Sequence, residues 1–379
     1  MNERFKLAGF TAVGMLILAS VMTGLSASLL EISSDFGIPP SRAGILYTLH
    51  FGGFLGLLLF SLLLHGLRAR LRLVTVAAAI YAVALATAGL SPGFSLLAIA
   101  LFLAGGSGGL IEGHTATLQV MTSRNEAEAG SLVSVTQSFF ALGALVTPVY
   151  LALEESLAAD WRKLFLGLSL LGLIALAMGL RIKAQRFAFI HGETGSFIWR
   201  PLIRVSVAMA LYVGAEVTIF GWAPTVMELY HDIPLSRARL APTLFWIGML
   251  GGRMLTAKLT SRISATTLLR ASSLLGVLAT VLLVTLEGEW LLWIALVLAS
   301  IACAGIWPLI VATSGASGHE TGTTITVAAG GLGATIFPYL AGISSEILPG
   351  RFIVVMAAPL LIGVFLLTRQ SAPAAGSGA

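Results

Sequence analysis

Twelve apolar runs, each about as long as a bilayer crossing requires, occupy almost the whole sequence. They fall at 7–30, 43–64, 73–90, 94–119, 129–152, 162–181, 202–228, 239–259, 266–286, 290–313, 321–345 and 351–368. A helix crossing a hydrocarbon core of about 30 Å needs roughly 20 largely apolar residues, because lipid offers the backbone no outside hydrogen-bond partner. Composition agrees. Hydrophobic residues make up 57% of the chain and charged ones 10%, whereas a soluble domain carries about a quarter charged residues. The fold class is therefore an all-α membrane protein with twelve transmembrane helices. The first run contains Leu25-Ser26-Ala27-Ser28, which has the small residues of a cleavage site. That run is long for a signal peptide and eleven more follow, so it is expected to stay as a crossing. Cys303 is the single cysteine and excludes an intrachain disulfide.

Basic residues set the expected orientation. With the N-terminus inside, the cytoplasmic segments hold Arg4, Lys6, Arg68, Arg70, Arg72, Arg124, Arg181, Lys183, Arg186, Arg200, Arg204, Arg253, Lys258, Arg262, Arg270 and Arg369, which is 16 of 22. The other face receives Arg42, Arg162, Lys163, Arg237, Arg239 and Arg351, with acids such as Glu154, Glu155, Asp160, Glu287 and Glu289. Lys and Arg near helix ends resist translocation, so both termini are expected in the cytoplasm and the chain in the inner membrane. The net charge of +5 follows from this bias and calls for no nucleic-acid partner.

The polar stretch 182–201 divides the chain into a bundle at 1–181 and a second at 202–379, the latter with a short cytoplasmic tail. The two resemble each other. Leu142-Gly143-Ala144 followed by Pro148 in the fifth run recurs as Leu332-Gly333-Ala334 followed by Pro338 in the eleventh. Thr48-Leu49 with Gly53, Leu55 and Gly56 in the second run recurs as Thr243-Leu244 with Gly248, Leu250 and Gly251 in the eighth. Both pair helix n with helix n+6, the trace of a duplicated six-helix unit.

Only Glu112 and Glu216 are acids near the centre of an apolar run, and no Lys or Arg is expected at their depth. An intramembrane carboxyl is costly unless it faces the bundle interior or a watery cavity. Glu112 lies roughly 15 Å from the cytoplasmic end of its helix at 1.5 Å per residue. Absence of a nearby cation favours its neutral form, and it is the expected proton carrier, with Glu216 second. Gln137 and Thr136 in the fifth run offer hydrogen bonds to a solute, or tie helices together. His50 and His114 read as interhelical histidines, with His114 about 200° round the helix from Glu112. Tyr47, Trp222, Trp246 and Trp307 could stack on a sugar; packing is the favoured reading for all but Trp222. Gly105-Gly106-Ser107-Gly108-Gly109 with Gly113 gives a small-residue face for close helix approach. It lacks the Lys-Ser/Thr ending of a phosphate loop. No metal-ligand cluster or nucleophile motif is found, no enzyme or cofactor is expected, and no segment could house a nucleotide-binding domain of an ATP-driven pump.

Twelve runs, a 6+6 repeat and a basic middle loop resemble the major facilitator superfamily, and within it the fucose permease and glucose/galactose transporter group. The motifs carrying the finer resemblance are Gly108-Gly109-Leu110-Ile111-Glu112, Gln137-Ser138-Phe139, Tyr212-Val213-Gly214-Ala215-Glu216 with Gly221-Trp222, Gly251-Gly252-Arg253, Arg262-Ile263-Ser264, and Gly330-Gly331 with Pro338. Departures are Ser26 where the fucose permease type has a carboxylate, Ala116-Thr117 after the fourth-helix acid, and Ser61-Leu62-Leu63-Leu64-His65-Gly66 in place of the superfamily's loop motif.

The resemblance implies alternating access and a small polar solute, a monosaccharide in the first instance, coupled to protons with sodium as the alternative. It implies substrate contacts at Gln137, Thr136, Tyr47, His50, Tyr212 and Trp222, coupling at Glu112 and Glu216, and gating or loop roles for Arg68, Arg70, Arg253 and Arg262. The competing readings are an exporter of amphipathic compounds or lipids on the same fold, and a transport-dead sensor. The expected partners are the solute and the lipid bilayer, with the protein acting as a monomer.

Overall fold

The computed structural model describes residues 3–61, 66–123, 126–153, 160–183, 199–315 and 320–368. Of the expected linker, residues 184–198 lie outside the described residues, as do Arg124, Arg186, His65 and the tail from Arg369. The long helices are α1 (Glu3–Asp35), α2 (Ile45–Ser61), α3 (Leu67–Gly89), α4 (Phe94–Thr122), α5 (Glu126–Ala152), α6 (Trp161–Leu180), α7 (Trp199–His231), α8 (Ala241–Leu259), α9 (Ala265–Thr285), α10 (Glu289–Cys303), α11 (Glu320–Ser344) and α12 (Phe352–Thr368). Each coincides with one apolar run. After a short break α10 continues as Ile306–Gly315. Pro308 accounts for the break, because its ring clashes with the carbonyl four residues back and it donates no hydrogen bond to it.

Ten spans are long and apolar enough to cross a membrane by length and composition. The other two are α8, which carries Arg253 and Lys258, and α12, which has 17 residues. The outer faces of the helices carry exposed aliphatic side chains, such as Val83 of α3, Leu170 of α6 and Leu278 of α9, as a lipid-facing surface requires. Polar caps fix helix starts: Asp160 accepts from the Lys163 amide at 2.7 Å, and Ser264 accepts from that of Thr267 at 3.2 Å.

Glycines set the packing inside each half. Gly53 of α2 lies against the Phe102 carbonyl of α4, and its sequence counterpart Gly248 of α8 lies against Val297 and Ser300 of α10. Gly143 of α5 meets the Leu16 carbonyl of α1, and its counterpart Gly333 of α11 meets the Ala210 carbonyl of α7. A Cβ at any of these would collide with the neighbouring helix, so the small residue lets the two helices touch. The glycine-rich stretch of α4 works similarly, with Gly105 and Gly109 against the backbone of His50 and Phe54 in α2.

The halves meet through α1 with α7, α2 with α11 and α5 with α8. Two of these contacts use matched positions. Thr48 of α2 donates to the Thr335 carbonyl of α11 at 2.7 Å, and Thr243 of α8 donates to the Leu145 carbonyl of α5 at 2.9 Å. Each accepting carbonyl lies three residues before the proline inside its helix, Pro338 or Pro148. A proline loosens the preceding turn, and a hydroxyl from the facing helix takes up the strained carbonyl.

The end of the bundle that carries the 36–44 and 232–240 connections is sealed across the halves. Arg239, almost fully buried, pairs with Glu31 of α1 at 2.8 Å and donates to the Leu151 carbonyl of α5 at 3.0 Å. Ser41 donates to Glu346 at 2.7 Å. Tyr47 donates to the Gly221 carbonyl at 2.7 Å, and Ser26 to the Phe220 carbonyl at 2.8 Å. The Trp222 ring fills the space between Gly44 and Gly342, and its indole donates to the Pro338 carbonyl at 2.8 Å. At the opposite end the bonds join helices of one half, as between Arg70 and His114 at 3.1 Å and between Ser206 and Thr326 at 3.4 Å.

Candidate transport site

Between the halves lies a cavity of about 110 Å³. The first six helices contribute Met22, Phe51, Phe54, Glu112, Gln137 and Phe140. The last six contribute Glu216, Phe220, Trp246, Arg253 and Trp307, with Gly330 and Gly331 of α11. The lining is largely aromatic and aliphatic with a few convergent polar groups, the usual make-up of a small-molecule site.

Glu112 reaches the cavity one turn beyond the glycines that hold α4 against α2. Glu216 comes from the middle of α7, and Tyr212, one turn earlier on the same helix, sets its hydroxyl beside that carboxyl. Behind Glu112 stands the buried Tyr81 of α3. Arg253 lies about 9 Å from the C-terminal end of α8 at 1.5 Å per residue, and its guanidinium sits 5.7 Å from the centre of the Trp246 ring. Both Glu112 and Glu216 lie within the electrostatic reach of that guanidinium, and of each other. The expectation that no base shares their depth is therefore corrected: Arg253, read as a cytoplasmic loop-motif residue, extends its side chain into the cavity.

Other expected contacts fall elsewhere. Thr136 accepts from Gln119 and donates to the Leu132 carbonyl at 2.9 Å. Because Gln119 also donates to Thr11 at 3.0 Å, this chain of bonds ties α1, α4 and α5 and does not reach the cavity. Tyr47 and Trp222 belong to the sealed end, their rings 6.1 Å apart, so their placement contradicts a cavity contact in this state. His50 is buried edge-on against Phe51, and neither ring nitrogen finds a well-aligned partner. Tyr212 is buried one turn before Glu216 and does not line the cavity. Arg68 and Arg262 are exposed, and Arg70 is engaged with His114. Gln137, Glu112 and Glu216 are the site residues that do line the cavity.

Trp246 and Trp307, read as packing residues, line it as well. The signal for Trp246 was its spacing from Arg253: seven residues is close to two helical turns, which puts both on one face of α8. Gln119 was missed because a lone glutamine gives no pattern.

The sequence model of the Major Facilitator Superfamily matches residues 10–329, most of the chain. The chain belongs to the major facilitator superfamily. Its members are transporters and not enzymes, and this chain is accordingly a secondary transporter of a small molecule and a multi-pass integral membrane protein. Protein TsgA homolog of Buchnera aphidicola subsp. Baizongia pistaciae is 21% identical over 268 residues, covering 66% of either chain. Among solved structures, a D-xylose-proton symporter superposes with a TM-score of 0.75 at 14% identity over 98% of both chains. FucP, a superfamily transporter in the outward conformation, gives 0.65 at 18% identity over 97% of this chain and 99% of its own. At such identities the likeness shows the fold alone.

Proposed function

We propose that this superfamily member moves a small polar solute, of monosaccharide size, through the central cavity by alternating access, with transport coupled to protons. The observation that carries the reading is the convergence of Glu112, Glu216 and Arg253, from both halves of the chain, on one small cavity lined with aromatic rings. A carboxyl buried among apolar groups has no use in packing that an apolar residue would not serve better. It can carry a proton across the membrane as the neutral acid. Glu112 is the proposed carrier and Glu216 the second. Gln137 is the proposed hydrogen-bonding group for the solute. The motifs resembling the fucose permease group, and the likeness in fold to a D-xylose-proton symporter, support a sugar-like solute and a proton as coupling ion.

The division into bundles at 1–181 and 202–379, with a pseudo-twofold axis along the membrane normal, is part of this proposal. So is the orientation with both termini in the cytoplasm of the inner membrane. On that orientation the sealed end faces outward, and the cavity is poised to exchange with the cytoplasm. The test is uptake and counterflow of a panel of labelled monosaccharides in proteoliposomes, each with an imposed proton gradient, a sodium gradient or none. The reading predicts accumulation under the proton gradient. Accumulation driven by sodium alone would move the coupling ion, and equilibration without accumulation under either gradient would contradict coupled transport.

A further inference from the structure

Two donor-only groups in the cavity stand without hydrogen-bond partners. Arg253 has only donors to offer, and among the described residues it makes no hydrogen bond and no ion pair within 4.0 Å; its Nε is buried without a partner. The Trp246 indole N–H, also donor-only, is buried without a partner as well. The two groups are adjacent, with the guanidinium over the indole ring, and both line the cavity. Leaving the Arg253 Nε–H and the indole N–H buried and unpaired is costly, and an incoming group offsets that cost if it brings acceptor oxygens and a negative charge. Glu112 and Glu216 are near enough to act on Arg253 electrostatically, yet neither reaches it as an ion pair. They limit the ligand's charge too. A doubly charged phosphate ester would be held by one guanidinium while facing two carboxyls, whereas a single carboxylate matches a single guanidinium.

We infer that the solute carries one carboxylate, that Arg253 and the Trp246 indole N–H hold it, and that its binding is matched by uptake of one proton from water at Glu112 or Glu216. This deepens the proposed function and rests on it. The balance is simple. Before binding, the Arg253 charge is balanced through space by one ionised Glu. The solute carboxylate takes over that balance, the displaced Glu carboxylate gains a proton from water, and the cavity stays neutral. The loaded protein then carries anion and proton together. Other titratable groups facing these carboxyls are Tyr81, Tyr212 and Cys303, which stay neutral in this scheme.

The experiment measures binding to the purified full chain by titration calorimetry, using matched pairs that differ by a carboxylate. Suitable pairs are D-glucuronate with D-glucose, lactate with propane-1,2-diol and benzoate with benzyl alcohol, with glucose 6-phosphate as the dianion arm. In at least one pair the acid is expected to bind about tenfold more tightly than its neutral partner, with Kd rising as pH rises and about one proton taken up per solute. Arg253→Gln should bring the two members of the pair within about threefold, and Arg253→Lys should keep part of the preference. Retained monodisperse elution of both variants separates this from misfolding. Equal or tighter binding of the neutral member, tighter binding of the phosphate, an Arg253→Gln variant with an unchanged preference, or no binding by any carboxylate would each overturn the inference. Neutral members that still accumulate in a proton gradient would leave the proposed function standing. Failure of that function shows differently, as absence of gradient-driven accumulation for every solute, charged or neutral.

Discussion

The sealed end and the central cavity are built from similar residues put to opposite uses. At the sealed end Arg239, Tyr47, Thr48 and Thr243 each have a hydrogen-bond partner in the other half, and Trp222 bonds within its own half while its ring packs against Gly44 of the other. In the cavity the Arg253 Nε–H and the Trp246 N–H have no hydrogen-bond partner among the described residues. A buried polar group already satisfied by its own chain holds the two halves together, while one left unsatisfied waits for something from outside. The sealed end pairs buried Arg239 with Trp222, and the cavity pairs half-buried Arg253 with Trp246 and Trp307. The presence or absence of partners, more than residue type, separates the sealed end from the cavity.

The largest expected effect on this comparison comes from unpairing Arg239. Breaking a buried ion pair by removing one partner costs about 3–5 kcal/mol. In Glu31→Gln, and more so in Arg239→Met, the population should shift by tenfold or more, in order-of-magnitude terms, toward a form open at this end. Labelling of Ser41→Cys by a membrane-impermeant maleimide, in a Cys303→Ala background, should accelerate accordingly. An unchanged rate would mean that the seal does not depend on this pair.

The two tryptophans should then part company. Trp222→Ala empties a fully packed site, and deletions of that size cost about 3–5 kcal/mol. It should lower the thermal unfolding temperature while leaving the affinity of solute bound from the cavity side near wild type. Trp246→Ala should weaken that affinity with a smaller loss of stability. The reverse pattern would put the solute at the sealed end. A middling effect is expected for Gln137→Ala, which removes one neutral hydrogen bond and should weaken solute binding by roughly 3–10-fold. The smallest belongs to Thr48→Val and Thr243→Val, at about 0.5–1.5 kcal/mol each. Because the two bonds occupy matched positions of the repeat, their effects on stability should be alike; very unequal values would argue against equivalent halves.

The helices were legible in the sequence because lipid imposes a length and an apolar composition on each crossing, so every run at 7–30 through 351–368 became a helix. The break after Cys303 was not marked, although Pro308 shows why it occurs. Within the site, Glu112 and Glu216 stood out because an intramembrane charge is rare. Arg253 did not, because a guanidinium on its long flexible stem lies several ångströms from its Cα, and counting that Cα as cytoplasmic hid where the charge goes. Trp222 and Trp246 were exchanged in place for another reason: spacing along one helix does not say which face a second bundle will cover. Only contact across the halves, with Gly44 and Gly342 closing on Trp222, decides that.

Coupling at Glu112 is the central claim, and comparing accumulation with exchange in Glu112→Gln tests it most directly. Glutamine keeps the shape of the neutral acid and removes its exchangeable proton. Proteoliposomes with this variant should no longer accumulate solute under an inward proton gradient, yet should exchange labelled for unlabelled solute at equal concentrations on the two sides. Accumulation against the solute gradient at the wild-type level would contradict the account and move the coupling role to Glu216.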